Sequence, residues 1–253
     1  MGIEECYRKI YRDCCNWKYK FDKHEYSFNE LSHFVSMKGK NYDQQKVKLF
    51  IVGRAVNGWG KYENASNEFD FATAAKRDFD KVGFDWVDGN DLGSLHNVED
   101  GKKVYYLTKS SFWGVGRSVF NNLNNCNDFK WVENIAWSNL YKIAPPDYGN
   151  PTTKMVRKQL EGCRELLKAE IEKYNPSIIL MMVGYNWWFE NFKDLFVEKK
   201  IFGVNKIGKN KNEIYVEAIF YYGEIPVVVT CRPEFRNQDD FVKDVMDKIK
   251  NIG

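Results

Sequence analysis

The sequence predicts an α/β protein with three layers, in which helices cover both faces of a central sheet. Two features of the chain lead to this class. Short apolar segments, typical of β-strands, alternate with longer segments that carry apolar residues at helical spacing. The strand segments are apolar throughout, a pattern typical of strands buried on both faces of a mainly parallel sheet. A chain of 253 residues with 43% hydrophobic content is long enough for one core, so a single domain is expected.

The elements follow one another in an order that fits this class. Residues 1–45 are expected to form an N-terminal helical extension packed on the domain, because charged and aromatic residues recur there at roughly helical spacing. Segment 47–52 predicts the first core strand, since its apolar run ends at Gly53 and a turn. Further strands are predicted at 102–107, 131–143, 177–183, 213–220 and 226–230. Helices are predicted at 115–123, 152–174 and 239–252. Thr152 or Thr153 is the expected N-cap of the second helix.

Composition excludes several classes of protein. No stretch approaches the roughly 18 apolar residues of a membrane span, and the N-terminus lacks the apolar region of a signal peptide. A cytoplasmic protein with no membrane partner is therefore expected. The six cysteines form no Cys-x-x-Cys pair and no regular spacing, and only three histidines could supplement them. We expect reduced thiols, no metal and no cofactor.

The charge of the chain leaves two interpretations open. A net charge of +3 does not by itself indicate a nucleic-acid-binding protein. Segment 192–211 carries six lysines against two acids, whereas segment 82–100 carries five acids and no lysine or arginine. The lysines form either a local basic face or an ordinary solvated surface.

Ligands of open α/β sheets bind beyond the carboxyl ends of the strands. The candidate site therefore lies in the loops after Val52, Lys142, Val183 and Thr230. A dinucleotide-binding fold is disfavoured, because Gly53 does not open a Gly-x-Gly-x-x-Gly sequence.

The second of these loops carries the most specific motif. Residues 138–151 read Ser-Asn-Leu-Tyr-Lys-Ile-Ala-Pro-Pro-Asp-Tyr-Gly-Asn-Pro. This run resembles the Thr-Asn-x-x-Lys-Cys-x-Pro-Pro-x-x-Arg-x-Pro motif in the iron-sulfur branch of the uracil-DNA glycosylase superfamily, and the resemblance extends over roughly residues 47–240. It implies an α/β/α fold with a central, mainly parallel four-stranded sheet. It also implies that Asn139 recognises the Watson-Crick edge of a base extruded from DNA, since an amide offers both a donor and an acceptor.

The cysteines of that branch are missing from this chain. Ile143 stands where the motif has a cysteine, and the N-terminal Cys-x-x-Cys pair is absent. Because a four-iron cluster needs four ligands, Cys163 alone cannot hold one, and we expect no iron-sulfur cluster.

Two further motifs of the family have counterparts. Gly53 and Ala55 match its first motif, and with Arg54 they are expected to bind the DNA backbone and the base, since small residues let the main chain approach a sugar and phosphate. Phe112 and Trp113 resemble the aromatic position that stacks on the flipped base. The alternative is that both rings belong to the core.

The last motif spans 230–237 and departs from the family at its first position. Pro233 and Arg236 match, and they are expected to contact the DNA backbone. Arg232 stands where the family has a histidine that stabilises charge on the departing base. A guanidinium is always protonated and can donate to such an oxygen, so Arg232 is the expected catalytic donor.

No acid occupies the usual water-binding positions of the first motif, which hold Arg54 and Ala55. Asp70 is the favoured replacement, because one branch with alanine in this motif has an aspartate at about that distance. Asn57 is a second candidate for this catalytic role, and Glu63 and Glu234 are alternatives.

Two functions remain open. The first is a monomeric DNA glycosylase that hydrolyses the N-glycosidic bond of a flipped, modified or non-uracil base in duplex or single-stranded DNA, in repair or in defence against phage. The second is a catalytically retired nucleic-acid-binding protein on the same fold.

Overall fold

The computed structural model describes residues 1–21, 24–55, 110–128, 131–146, 149–203 and 214–252. Within these ranges there are four α-helices: α1 (Ile3–Cys14), α2 (Ser111–Asn124), α3 (Thr153–Tyr174) and α4 (Gln238–Lys250). The strands are β1 (Tyr19–Phe21), β2 (His24–Tyr26), β3 (Ser32–His33), β4 (Met37–Lys38), β5 (Leu49–Gly53), β6 (Ala136–Asn139), β7 (Ile143–Ala144), β8 (Ile178–Met182), β9 (Val197–Ile201), β10 (Val216–Tyr222) and β11 (Ile225–Thr230).

Seven of the strands form one mixed sheet in the order β4-β6-β5-β8-β11-β10-β9. Strands β8 and β11 run parallel, whereas β10 is antiparallel to both β11 and β9, and β4 is antiparallel to β6. Every residue of β5 and β8 is buried, as their continuous apolar runs predict. The α/β class predicted from the sequence is confirmed, and the sheet is a mixed one of seven strands.

Three of the four described helices, α2, α3 and α4, begin where the side chain of the N-cap residue accepts from an N–H group of the first turn. Thr152 is the N-cap of α3 and its hydroxyl accepts from the Met155 N–H at 3.4 Å, which confirms one of the two predicted caps. Helix α2 begins four residues before the predicted bound because Ser110 caps it. No helix in the described ranges combines the length and apolar character needed to cross a membrane.

The predicted strand at 131–143 is broken in the structure. Residues Trp131–Asn134 form a 3-10 turn, and β6 and β7 are separated by three residues that belong to neither strand. The reason lies in α3: the side-chain oxygen of Gln159 accepts from the N–H groups of Lys142 and Ile143, both at 2.9 Å. A helix side chain therefore takes hydrogen bonds that a continuous strand would make with a neighbour.

The described residues fall into two compact units. The first contains 1–21, 24–36, 52–55, 138–146 and 149–175. In it α1 packs closely on α3, since a Cβ added at Gly162 would lie 2.6 Å from Cγ1 of Ile10. The second contains 37–51, 110–128, 131–137, 176–203 and 214–252. In it α2 approaches β5 at Gly116, where an added Cβ would lie 2.9 Å from Cδ1 of Ile51.

Residues 1–45 contain one helix, α1, followed by short strands. The strand predicted at 102–107 lies outside the described residues.

Candidate functional site

Asn139, the predicted base-reading residue, ends β6 in the first unit and is 4% exposed. The next two N–H groups of the chain donate to the carbonyls of Gly53 and Arg54, each at 2.9 Å. These bonds bring the predicted base-reading segment and the first motif together. Gly53 is buried, and Arg54 and Ala55 are half-buried.

A buried ion pair lies directly behind Asn139. The Lys142 ammonium is 2.9 Å from a carboxylate oxygen of Glu170 in α3, and both side chains are 0% exposed. Lys142 also donates to the main-chain carbonyl of Asn139 at 2.7 Å and to the Ser138 hydroxyl. The Ser138 hydroxyl in turn donates to the second Glu170 oxygen at 2.7 Å. Every polar atom of the two charged groups therefore has a partner.

The side-chain amide of Asn139 contrasts with its surroundings. The main chain around it is bonded at Asn139, Lys142 and Ile143 by buried side chains. Within the part of the chain that the structure describes, the Asn139 amide itself makes no hydrogen bond. A buried amide held on a fixed main chain without a described partner retains its donor and its acceptor for a ligand.

In the second unit, the loops after β8 and β11 lie side by side. The Gly184 N–H donates to the Thr230 carbonyl at 2.8 Å, where the two parallel strands end. The carboxylate of Glu217, which is buried on β10, accepts from the Tyr185 N–H at 2.7 Å. The predicted site loops at 183 and 230 therefore share one edge of the sheet.

Each of these two loops presents one exposed aromatic residue in the left-handed backbone region. Trp187 is 61% exposed with a φ of 70°, and Phe235 is fully exposed with a φ of 63°. The other non-glycine residues with positive φ in the described ranges are Asn125 and Asn175, which cap helix C-termini. Asparagine tolerates this conformation, whereas a bulky ring in it costs about 1–2 kcal/mol. Such strain is typical of binding sites.

Arg232, the predicted catalytic donor, is exposed and is held by its own loop. Its Nε and Nη2 groups donate to the two carboxylate oxygens of Glu234 at 2.9 and 2.8 Å. This bidentate pair fixes the plane of the guanidinium. Pro233 is buried and Arg236 is half-buried in the same turn.

Phe112 and Trp113 have different surroundings, although they are neighbours in the first turn of α2. Trp113 is buried, and its ring packs edge-on against Trp131 and Trp137 with centroid distances of 5.9 and 4.7 Å. Trp113 is therefore a core residue. Phe112 is half-buried, so it is the ring of the two that keeps surface for stacking on a base.

The remaining predicted residues have no described position. Asp70, Asn57 and the alternative Glu63 lie outside the described residues. Burial raises the pKa of the Cys163 thiol to about 12, so this cysteine is protonated at neutral pH. Across the described ranges, no group of three or more His, Cys, Asp or Glu residues is placed to hold a metal ion.

Sequence reasoning missed the residues that support the site. Glu170 had a usable signal, because it follows Leu166 by four residues and Leu167 by three and so lies on the apolar face of α3. A carboxylate on such a face needs a buried cation, and Lys142 lies in the quoted motif. The positive φ of Trp187 and Phe235 could not have been predicted, since the residue type of a single aromatic does not reveal its backbone conformation.

Comparison of the sequence with models of known protein families gives no match, and comparison with curated proteins also gives no match. The resemblance to the uracil-DNA glycosylase superfamily therefore rests on the motifs alone.

Proposed function

We propose that this protein is a DNA glycosylase of the uracil-DNA glycosylase superfamily, which hydrolyses the N-glycosidic bond of a flipped base that is modified or is not uracil. The proposal includes a mainly parallel four-stranded centre of the sheet, made by the neighbouring strands β6, β5, β8 and β11. Three of the motifs that resemble the family, at 53–55, 138–151 and 230–237, lie at the carboxyl ends of β5, β6 and β11. Ligands of open α/β sheets bind at that edge.

The observation that carries the proposal is the amide of Asn139. It is nearly buried on a main chain that other side chains hold in place, and it has no hydrogen-bond partner within the described ranges. The amide therefore keeps a donor and an acceptor that a ligand with a complementary edge can bind. The Watson-Crick edge of a nucleobase has this donor and acceptor pattern.

Arg232 supplies the chemistry in this proposal. Water adds to the anomeric carbon of the sugar and loses a proton, the C–N bond breaks, and the base departs with the electron pair of that bond and takes up a proton from solvent. A guanidinium donates to the base oxygen on which negative charge develops. Asp70 or Asn57 orients the water, Phe112 stacks on the base, and Arg54 and Arg236 contact the DNA backbone. The enzyme acts in the cytoplasm as a monomer without a cofactor, in repair or in defence against phage.

A catalytically retired DNA-binding protein is the second candidate, and one contact favours it. The bidentate hydrogen bonds from Arg232 to Glu234 occupy Nε and Nη2, two donors that could otherwise bind a departing base. In a binding protein the same pair would simply hold the loop in shape.

Release of free base from synthetic DNA tests the proposal. Duplex and single-stranded oligonucleotides that each carry one modified base are incubated with the protein, and free bases are measured by mass spectrometry. Asn139→Ala is expected to reduce release of the preferred base roughly 10- to 100-fold, the range for losing a two-bond contact with a base edge.

The matched control is Asn122→Ala, which removes an exposed asparagine side chain from α2. Base release by the natural protein supports the enzyme, and tight binding without release supports the retired protein. Neither binding nor release across the panel would reject both. Unchanged activity of Asn139→Ala would show that the base-reading residue is wrong.

The exposed aromatics Trp187 and Phe235 are expected to stack on nucleotides of the bound strand. Stacking on an aromatic contributes about 1–3 kcal/mol per base, so Phe235→Gly or Trp187→Gly should raise the Kd for DNA roughly 5- to 100-fold. The same changes should leave the free energy of unfolding equal or higher, because glycine adopts positive φ without strain. Fluorescence anisotropy with a labelled oligonucleotide and urea unfolding measure the two effects.

Val197→Ala is the control for these variants, since it removes an exposed apolar side chain from β9, where the backbone is a regular strand. A loss of DNA affinity in the control equal to that of the aromatic variants would contradict a specific stacking role.

A further inference from the structure

The ion pair of Lys142 and Glu170 is built into the segment that carries Asn139. The two side chains are fully buried, and the three donors of the ammonium are directed to Glu170, Ser138 and the main-chain carbonyl of Asn139. The second carboxylate oxygen accepts from Ser138. The side chains of Lys142, Glu170 and Ser138 therefore form a network that also holds the main-chain carbonyl of Asn139, the residue whose amide has no described partner.

Stability alone does not account for this arrangement. Taking two charges out of water costs about as much as their attraction returns, so well-packed apolar residues of similar volume serve the fold equally well or better. A buried ion pair is better suited to fixing the position of what it touches. Here it touches the main chain of Asn139.

The main chain that follows Asn139 is held by other hydrogen bonds. The N–H groups that follow Asn139 bind the carbonyls of Gly53 and Arg54, and those of Lys142 and Ile143 bind the Gln159 side chain. The Asn139 carbonyl is the exception, because its described hydrogen bonds come from the Lys142 ammonium, at 2.7 Å, and the Ser138 hydroxyl, at 3.4 Å. Removing the network therefore takes away the side-chain donors of this carbonyl and leaves the neighbouring anchors in place.

We propose that Lys142 and Glu170 are positioning residues, whose ion pair fixes the main chain of Asn139 so that its amide reads the base in one orientation. This inference rests on the proposed function. Misplacement of a recognising group by about 1 Å can cost a factor of about 100 in rate, so the network should govern discrimination between bases more than affinity for DNA.

The test replaces the whole network by apolar residues of similar size. The triple variant Ser138→Ala/Lys142→Met/Glu170→Leu leaves no buried charge. We expect one cooperative unfolding transition and unchanged affinity for DNA without a modified base. Release of the preferred base should fall at least tenfold, and the rate ratio between preferred and disfavoured bases should fall with it. The side-chain NH2 signals of Asn139 in a ¹⁵N NMR spectrum should shift or broaden.

The matched control is Lys9→Met/Glu165→Leu. This ion pair also joins α3 to another residue, at 2.7 Å, but its side chains are 28% exposed and make no described contact with Asn139. It should change neither base selectivity nor the Asn139 signals. If the triple variant does not fold, Lys142→Met/Glu170→Gln provides the same test, because glutamine keeps the volume of Glu170 and an acceptor for Ser138.

Unchanged selectivity together with unchanged Asn139 signals in the folded network variant would overturn the inference. Absence of both base release and base binding in the natural protein would instead overturn the proposed function. In that case the NMR signals decide the inference alone: altered signals support positioning of Asn139, and unaltered signals reject it.

Discussion

Lys142→Met, introduced alone, is expected to lower the free energy of unfolding by about 3–5 kcal/mol. The substitution leaves the Glu170 carboxylate buried, with the Ser138 hydroxyl as the partner that remains from the network. An unpaired charge in the interior is far more costly than the loss of the ion pair itself. Urea unfolding at pH 7, followed by circular dichroism, measures the change as a lower midpoint at unchanged slope.

Two comparisons make this result specific. Lys9→Met breaks a partly exposed pair and should cost about 0–1 kcal/mol. Adding Ser138→Ala and Glu170→Leu to Lys142→Met should recover most of the lost stability, since no buried charge then remains. A single Lys142→Met variant as stable as the natural protein would mean that Glu170 reaches water or another cation.

The second large effect is expected in acid, where the folded protein should lose stability between pH 6.5 and about 4. His33 is buried and donates from Nε2 to the Phe28 carbonyl at 3.0 Å. Burial lowers the pKa of His33 from its ordinary value of 6.5 to about 4. In this interval the unfolded chain binds a proton that the folded protein does not, so falling pH favours unfolding. The two pKa values correspond to about 3 kcal/mol, retained above pH 6.5 and lost by pH 4.

His33→Gln is the matching variant, because glutamine can donate to the Phe28 carbonyl and does not titrate. Its stability should fall less steeply over this interval, as measured by thermal or urea unfolding at half-unit steps of pH. The other histidines and the carboxylates are common to both proteins, so the difference between the curves belongs to His33. Parallel curves would show that His33 has the same pKa in the folded and unfolded states.

The sequence was sufficient to predict β5, β8 and α3, because buried strands and half-buried helices have characteristic patterns of apolar residues. Strands β5 and β8 are uninterrupted apolar runs, and Thr152 belongs to a residue type that commonly caps helices. Strand β9 was not predictable on that basis: Val197–Ile201 is exposed throughout and has the composition of a surface loop. Its pairing with β10 depends on neighbours distant in the chain.

The candidate site, like the fold, could be predicted from the sequence only in part. Asn139 follows from a local motif, and the structure places it at the end of strand β6. Its support comes from Gln159 and Glu170, which are 20 and 31 residues further along the chain. Such partners are brought in by the packing of α3, which a motif does not encode. The strained backbone at Trp187 and Phe235 likewise arises from loop closure and not from residue type.

The exposed strand β9 also bears on how the protein behaves at high concentration. It is the outermost strand of the seven-stranded sheet, so one row of its main-chain groups faces away from β10. Open edges of this kind recruit strands from other molecules unless charge opposes them. Glu198, Lys199 and Lys200 occupy the middle of β9, and charged side chains on an edge strand oppose the addition of a strand from another molecule. The composition of this edge thus favours a dispersed protein over fibrous assembly.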